Sequence, residues 1–101
     1  MDRNVLEKML ADGNDNAMLR YTLGLVCFNE KAYQPAIVHL QRAIEQDDSH
    51  SASWKIYGKT LVALERPDEA KAVFEKGISI AETQGDIQAA KEMKVFLRRL
   101  E

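Results

Sequence analysis

The feature that most constrains this 101-residue chain is a repeat of its own sequence, in which position i matches position i+34. A glycine inside a helix costs about 1 kcal/mol relative to alanine. A glycine that recurs in the same phase therefore predicts that a second helix crosses closely at each copy, and that the repeating unit is a pair of helices. Between residues 17–50 and 51–84, the identical pairs at this spacing are Gly24 with Gly58, Ala36 with Ala70, and Ile44 with Ile78.

The spacing of the apolar residues predicts six helices. Within residues 17–29, for example, Leu19, Leu23 and Cys27 recur at four-residue steps, as on one face of an α-helix. Only a few residues join the helices of each pair, so paired helices should be antiparallel neighbours. Ser51 is expected to cap the fourth helix. The predicted helices span residues 2–11, 17–29, 33–46, 52–64, 67–83 and 86–100.

The repeat resembles the tetratricopeptide signature, which reads W-x2-L-G-x2-Y and then A-x3-F within a unit of roughly 34 residues. The second copy reads Trp54-x2-Tyr57-Gly58-x2-Leu61 and Ala70-x3-Phe74, and the first reads Arg20-x2-Leu23-Gly24-x2-Cys27 and Ala36-x3-Leu40. The resemblance implies an all-α fold, a right-handed α-solenoid of antiparallel helix pairs. The chain is then one domain over residues 1–101, with an N-terminal helix (2–11), repeat 1 (17–50), repeat 2 (51–84) and a capping helix (86–100).

Composition narrows the classes of function. A net charge of −2 and a pI near 5.7 argue against nucleic-acid binding, which usually rests on a cationic excess. No apolar run is longer than four residues, as in residues 25–28, which is far too short to span a membrane. The single cysteine, Cys27, excludes an internal disulfide and fits a reducing cytoplasm. His39 and His50 lie outside any metal-ligand spacing, and no catalytic motif occurs, so we expect no enzyme activity, cofactor or metal.

The resemblance implies that the first helix of each repeat lines a concave groove where partner proteins bind. Lys55 and Lys59 lie four residues apart on one helix face and repel each other, so an acidic partner would stabilise them there; the alternative is an ordinary solvated face. The lysine and asparagine set with which some family members hold the C-terminal carboxylate of chaperones is missing, which argues against that partner. The predicted groove residues are Tyr21, Leu25, Phe28, Lys55, Lys59, Val62, Met93 and Phe96.

Two hypotheses for function follow. The first is a scaffold or adaptor that binds a peptide or helix of another protein in the groove. The second is a structural module that pairs with a second copy of itself across a two-fold axis, through exposed apolar residues of the N-terminal helix or the groove. The sequence identifies neither the partner nor the oligomeric state.

Overall fold

The computed structural model describes residues 2–101, and within them the chain forms six α-helices. The predicted all-α helical-repeat fold is therefore confirmed, with helix ends that differ from the predicted ones by at most a few residues. The helices are α1 (Arg3–Ala11), α2 (Ala17–Asn29), α3 (Tyr33–Gln46), α4 (Ser51–Ala63), α5 (Pro67–Gln84) and α6 (Ile87–Arg99).

Polar caps and two special residues set several helix ends. The Asn16 side chain accepts a hydrogen bond from the backbone N–H of Leu19 at 2.9 Å, which caps α2. Pro67 begins α5, where its missing N–H costs nothing. Gly85 ends α5 in the left-handed conformation, with φ 77°, a backbone state that glycine adopts without strain.

The prediction that Ser51 caps α4 was wrong. His50 is the N-cap residue, and its side chain makes no capping bond. Ser51 is the first residue of the helix, and its hydroxyl donates a 2.6 Å hydrogen bond to Asp86, the cap of α6. An ionised carboxylate is a strong acceptor, so the serine hydroxyl ties the starts of α4 and α6 together instead.

The helices pack in two layers. Helices α2, α4 and α6 lie side by side in one layer, because α4 contacts both of the others. Helix α3 packs against α2 and α4, and α5 packs against α4 and α6, which places them in the second layer. Helix α1 packs against the side of α2, at Leu19 and Leu23, and contacts no other helix within residues 2–101.

The close approach predicted at the repeated glycines is present. A Cβ atom placed on Gly24 would lie 2.5 Å from Cγ of Leu40, and one placed on Gly58 would overlap the Phe74 ring. Leu40 and Phe74 are themselves fully buried. Each glycine therefore lets the second helix of its own repeat insert a large side chain against the backbone of the first.

Candidate partner-binding site

The site is a cavity on the layer formed by α2, α4 and α6. Four of the eight predicted groove residues line it together: Phe28 from α2, Lys59 and Val62 from α4, and Phe96 from α6. Its volume is about 240 Å³. We call it the aromatic pocket, and the other residues that line it are Ala63, Phe74, Arg99 and Leu100.

Lys59 lies between two aromatic rings of this pocket. Its Nζ atom is 5.3 Å from the ring centroid of Phe28 and 5.4 Å from that of Phe96. Both distances are within the range of a cation–π contact, worth roughly 0.5–1 kcal/mol each at an accessible site. The two rings hold the ammonium group in place on a helix that would otherwise let it move freely.

Lys55, one turn earlier on α4, is already paired within the chain. Its Nζ atom donates a 3.0 Å hydrogen bond to Oε2 of Glu92 on α6. The Lys55 ammonium, followed by the Gln88 amide, lowers the pKa of the Glu92 carboxyl. The predicted repulsion between Lys55 and Lys59 is therefore relieved by Glu92, a residue of the same chain.

The position predicted for Met93 in the groove wall was wrong, because Met93 is fully buried. Its sulfur would lie 2.6 Å from a Cβ on Gly77, so it fills the space that this glycine leaves on α5. The reason is a shift in phase. Helix α4 begins one full repeat after α2, at Ser51 after Ala17, whereas α6 begins at Ile87, two positions beyond the next repeat. Two residues turn a helix by roughly 200°, which moves Met93 from the groove into the core.

Tyr21 and Leu25 lie on α2 but do not line the aromatic pocket. Both are partly buried against the core residues around Cys27 and Leu40. Tyr21 also makes an edge contact with the His50 ring, at a centroid distance of 4.7 Å. These two residues therefore contribute to the packing between α2 and its neighbours and not to the aromatic pocket.

Five residues at or beside the pocket were not among the predicted groove residues: Ala63, Phe74, Glu92, Arg99 and Leu100. Glu92, Phe96 and Arg99 follow each other at steps of four and three residues, the same steps as Lys55, Lys59 and Val62. That shared spacing was the available signal, but the two sets face each other at a separation of 37 residues, which the 34-residue repeat does not indicate.

The cysteine and the histidines, which could in principle take part in catalysis or bind a metal, lie outside the aromatic pocket. Burial raises the pKa of the Cys27 thiol, and this side chain is fully buried. His39 lies on α3, with its Nδ1 atom 3.1 Å from Nη1 of Arg20. In residues 2–101, no three His, Cys, Asp or Glu side chains are grouped so that they could hold a metal ion. No helix in that range is long and apolar enough to cross a membrane.

Comparisons with known proteins agree with this architecture. Residues 4–77 match the sequence model of the family described as Anaphase-promoting complex, cyclosome, subunit 3. A TPR repeat-containing protein of Pseudomonas aeruginosa is 48% identical over 96 residues, which cover 95% of this chain and 91% of the relative.

Solved structures extend the likeness to three dimensions. The solution structure of a protein from Bordetella parapertussis superimposes on this chain with a TM-score of 0.86 and 40% sequence identity. The match covers 99% of this chain and 87% of that one. A tetratricopeptide repeat domain protein of Salinibacter ruber shares the fold, at a TM-score of 0.78 and 21% identity, over 86% of this chain and 88% of that one. The helix pairs, their glycine contacts and these relatives lead to one conclusion: the chain belongs to the tetratricopeptide repeat family, whose members are typically protein–protein interaction modules.

Proposed function

We propose that this chain is a scaffold or adaptor that binds a peptide or helix of another protein on the face formed by α2, α4 and α6. We place it in the cytoplasm, without enzymatic activity of its own. In this proposal the chain is one domain, in which residues 17–50 and 51–84 are the two repeats and the flanking helices are its lids.

The observation that carries the proposal is the aromatic pocket. It combines an open apolar cavity with a cation held by Phe28 and Phe96, and its residues come from all three helices of one layer. Protein-binding sites typically combine buried aromatic anchors with a few placed polar groups. The cavity leaves apolar side chains open to solvent, and such surface often marks a contact with another protein.

Site-specific photo-crosslinking tests the proposal. The photoreactive amino acid p-benzoylphenylalanine replaces Val62, which lines the pocket and is 42% exposed. The matched control replaces Val38, which is 55% exposed on α3 in the other layer. After irradiation of cells that produce each variant, we expect an adduct to a second protein at position 62 and none at position 38. Adducts of equal yield at both positions would contradict the proposal.

A second candidate function, self-association, is favoured by the surface at the α1 end. Val5 is 54% exposed, Met9 is 42% exposed and Met18 is 61% exposed. Met9 and Met18 also line a cleft of about 410 Å³ over the buried Leu6 and Leu19. Exposed apolar surface of this kind often marks a contact with another protein, and a second copy of this chain would cover it.

Sedimentation over a hundredfold range of protein concentration separates the two candidates. A homodimer built on the α1 end should dissociate when Met18 is replaced by Glu, and should persist when the similarly exposed Val38 on α3 is replaced by Glu. A chain that stays monomeric at every concentration excludes the homodimer and leaves the scaffold proposal untouched.

A further inference from the structure

We infer that the aromatic pocket selects partner segments in which a bulky apolar side chain is flanked by acidic side chains. This inference rests on the proposed function and specifies the chemistry of its partner. The occupant is a segment of another protein, with a phenylalanine or leucine anchor between glutamate or aspartate residues.

The size and lining of the pocket fit the anchor. The volume of about 240 Å³ exceeds the roughly 150 Å³ of a cavity that takes up benzene. The rings of Phe28, Phe74 and Phe96 line it, and the centroids of the last two lie 5.7 Å apart. An aromatic or branched apolar side chain can pack against these rings, whereas a small polar side chain would leave them in water.

The charges at the pocket select the flanking residues. Two cations line it, Lys59 and Arg99, and no carboxylate does. Among residues 2–101, no carboxylate oxygen lies within 4.0 Å of either cationic group, and neither side chain donates a hydrogen bond. Lys55, just outside, differs in that Glu92 neutralises it. Within residues 2–101, the two cations of the pocket thus form no ion pair, although the charge of Glu92 also acts on Lys59. The net charge of the chain is −2.

The cations are also placed for this role before any partner arrives. Lys59 on α4 is held by Phe28 and Phe96. Arg99 lies on α6, with its guanidinium carbon 5.8 Å from the ring centroid of Phe96 on the same helix. A side chain that is already positioned loses less conformational freedom on binding. Cations from two helices beside one apolar cavity favour carboxylates on both sides of an apolar anchor.

Calorimetric titration of the full chain with four synthetic peptides tests the inference. The first peptide is acetyl-Gly-Glu-Glu-Phe-Glu-Glu-Gly-amide. In the second, serine replaces phenylalanine; in the third, glutamine replaces every glutamate; in the fourth, lysine replaces every glutamate. We expect the first peptide to bind at least tenfold more tightly than each of the others, since each loses either the anchor or the charge-assisted contacts.

Variants of the protein assign the effect to the pocket. Lys59→Met keeps the aliphatic stem and should weaken the first peptide about tenfold, while Lys76→Met, the same change on an exposed part of α5, should leave its affinity within twofold. Ala63→Leu fills the pocket from an exposed position and should abolish binding while leaving the helical circular dichroism unchanged. Equal affinity for all four peptides, or no binding of the first at millimolar concentration, would overturn the inference. The adduct at position 62 decides the scaffold proposal separately, because it requires no particular partner sequence.

Discussion

The interiors of the two repeats fill the same space with different side chains. In the first repeat, Leu40 packs over Gly24; in the second, Phe74 packs over Gly58. All four residues lie in helices and are buried. The phenylalanine ring brings three atoms within 3 Å of the position that a Cβ would occupy, whereas the leucine brings two. The second repeat is therefore the more tightly filled of the two at this crossing.

The contact between the first helix and the preceding loop differs more. In the second repeat, the Trp54 indole donates a 2.8 Å hydrogen bond to the backbone carbonyl of Asp48. In the first repeat, Arg20 takes the place of that tryptophan and donates two hydrogen bonds, at 2.8 and 2.9 Å, to the carboxylate of Asp15. Arg20 and its hydrogen bonds strongly lower the pKa of Asp15.

The residue of the second helix that lies next to Arg20 also differs between the two repeats. His39 stands where the second repeat has Val73, and Arg20 contacts His39 at 3.1 Å. An apolar pair, Trp54 and Val73, is thus replaced by a polar pair in the first repeat. The family's aromatic position therefore anchors a helix to its loop, and a guanidinium–carboxylate pair can provide this anchor as well.

The largest expected effect is a difference in stability between the alanine variants of the two crossing glycines, Gly58 and Gly24. Alanine is the better helix former by about 1 kcal/mol, but overpacking a filled core costs about 1–3 kcal/mol. At Gly58 the Phe74 ring is rigid and can move away only as a whole, so we expect Gly58→Ala to lower the free energy of unfolding by roughly 2 kcal/mol. At Gly24 the smaller Leu40 can change rotamer, and Gly24→Ala should cost roughly half as much. Urea denaturation measures both.

A double variant supplies the control. When Phe74→Leu is introduced first, the second crossing resembles the first, and adding Gly58→Ala should then cost no more than Gly24→Ala does. A Gly58→Ala protein as stable as the original chain would show that the tight crossing is not a constraint, and the difference between the repeats would lose its meaning.

A smaller effect comes from the polar pair of the first repeat. Burial, followed by the charge of Arg20, lowers the pKa of His39 below its ordinary value of 6.5. The folded state therefore disfavours protonation. The contribution of His39 to the free energy of unfolding is fully present above pH 6.5. This contribution decreases as the pH falls through the folded-state pKa and changes no further below it. We expect thermal denaturation between pH 7.5 and 5 to show this decrease, because the carboxyl groups titrate mainly below that range.

His39→Gln is the matched control, since glutamine keeps a hydrogen-bond acceptor for Arg20 but does not titrate in this range. The variant should lose the part of the pH dependence that belongs to His39. His39→Val copies the second repeat and should lose the same part, while leaving an Arg20 donor unpaired. If the original chain and His39→Gln show identical pH dependence, the polar pair does not distinguish the repeats in solution.

The sequence was sufficient to predict the six helices and the glycine crossings, because both depend on local periodicity and on a 34-residue identity. It was not sufficient for α6. The repeat places Met93 in the groove only if α6 keeps the 34-residue phase, but α5 continues to Gln84 and the phase shifts by two residues. The ends of these helices follow from Gly85 and the Asp86 cap, which are local signals, but the rotation of α6 against α5 is set by tertiary contacts such as that of Met93 with Gly77.

The same limit explains the outcome for the groove lysines. Their spacing indicated two equivalent cations that call for an external acid. In the structure, Lys55 forms an ion pair with Glu92, whereas Lys59 lies against the Phe96 ring, because the rotation of α6 brings Glu92 next to one lysine and Phe96 next to the other. Spacing on one helix predicted a repulsion between the two lysines, but which group lies next to each lysine depended on the rotation of α6.

The smallest effect concerns a feature in which the repeats are the same. The turn inside each repeat contains one non-glycine residue with positive φ, Lys31 at 61° and Glu65 at 58°, one repeat apart. A left-handed conformation costs an ordinary residue about 1 kcal/mol, and glycine avoids this cost at some loss of unfolded-state entropy. At each position, the Gly variant should therefore have a higher free energy of unfolding than the Ala variant, by under about 1 kcal/mol. The difference should be roughly the same at positions 31 and 65. At Glu30, where φ is −83°, the Gly variant should be the less stable one. Unequal gains at positions 31 and 65 in urea denaturation would show that the two turns differ in strain, and that the repeats diverge in backbone as well as in side chains.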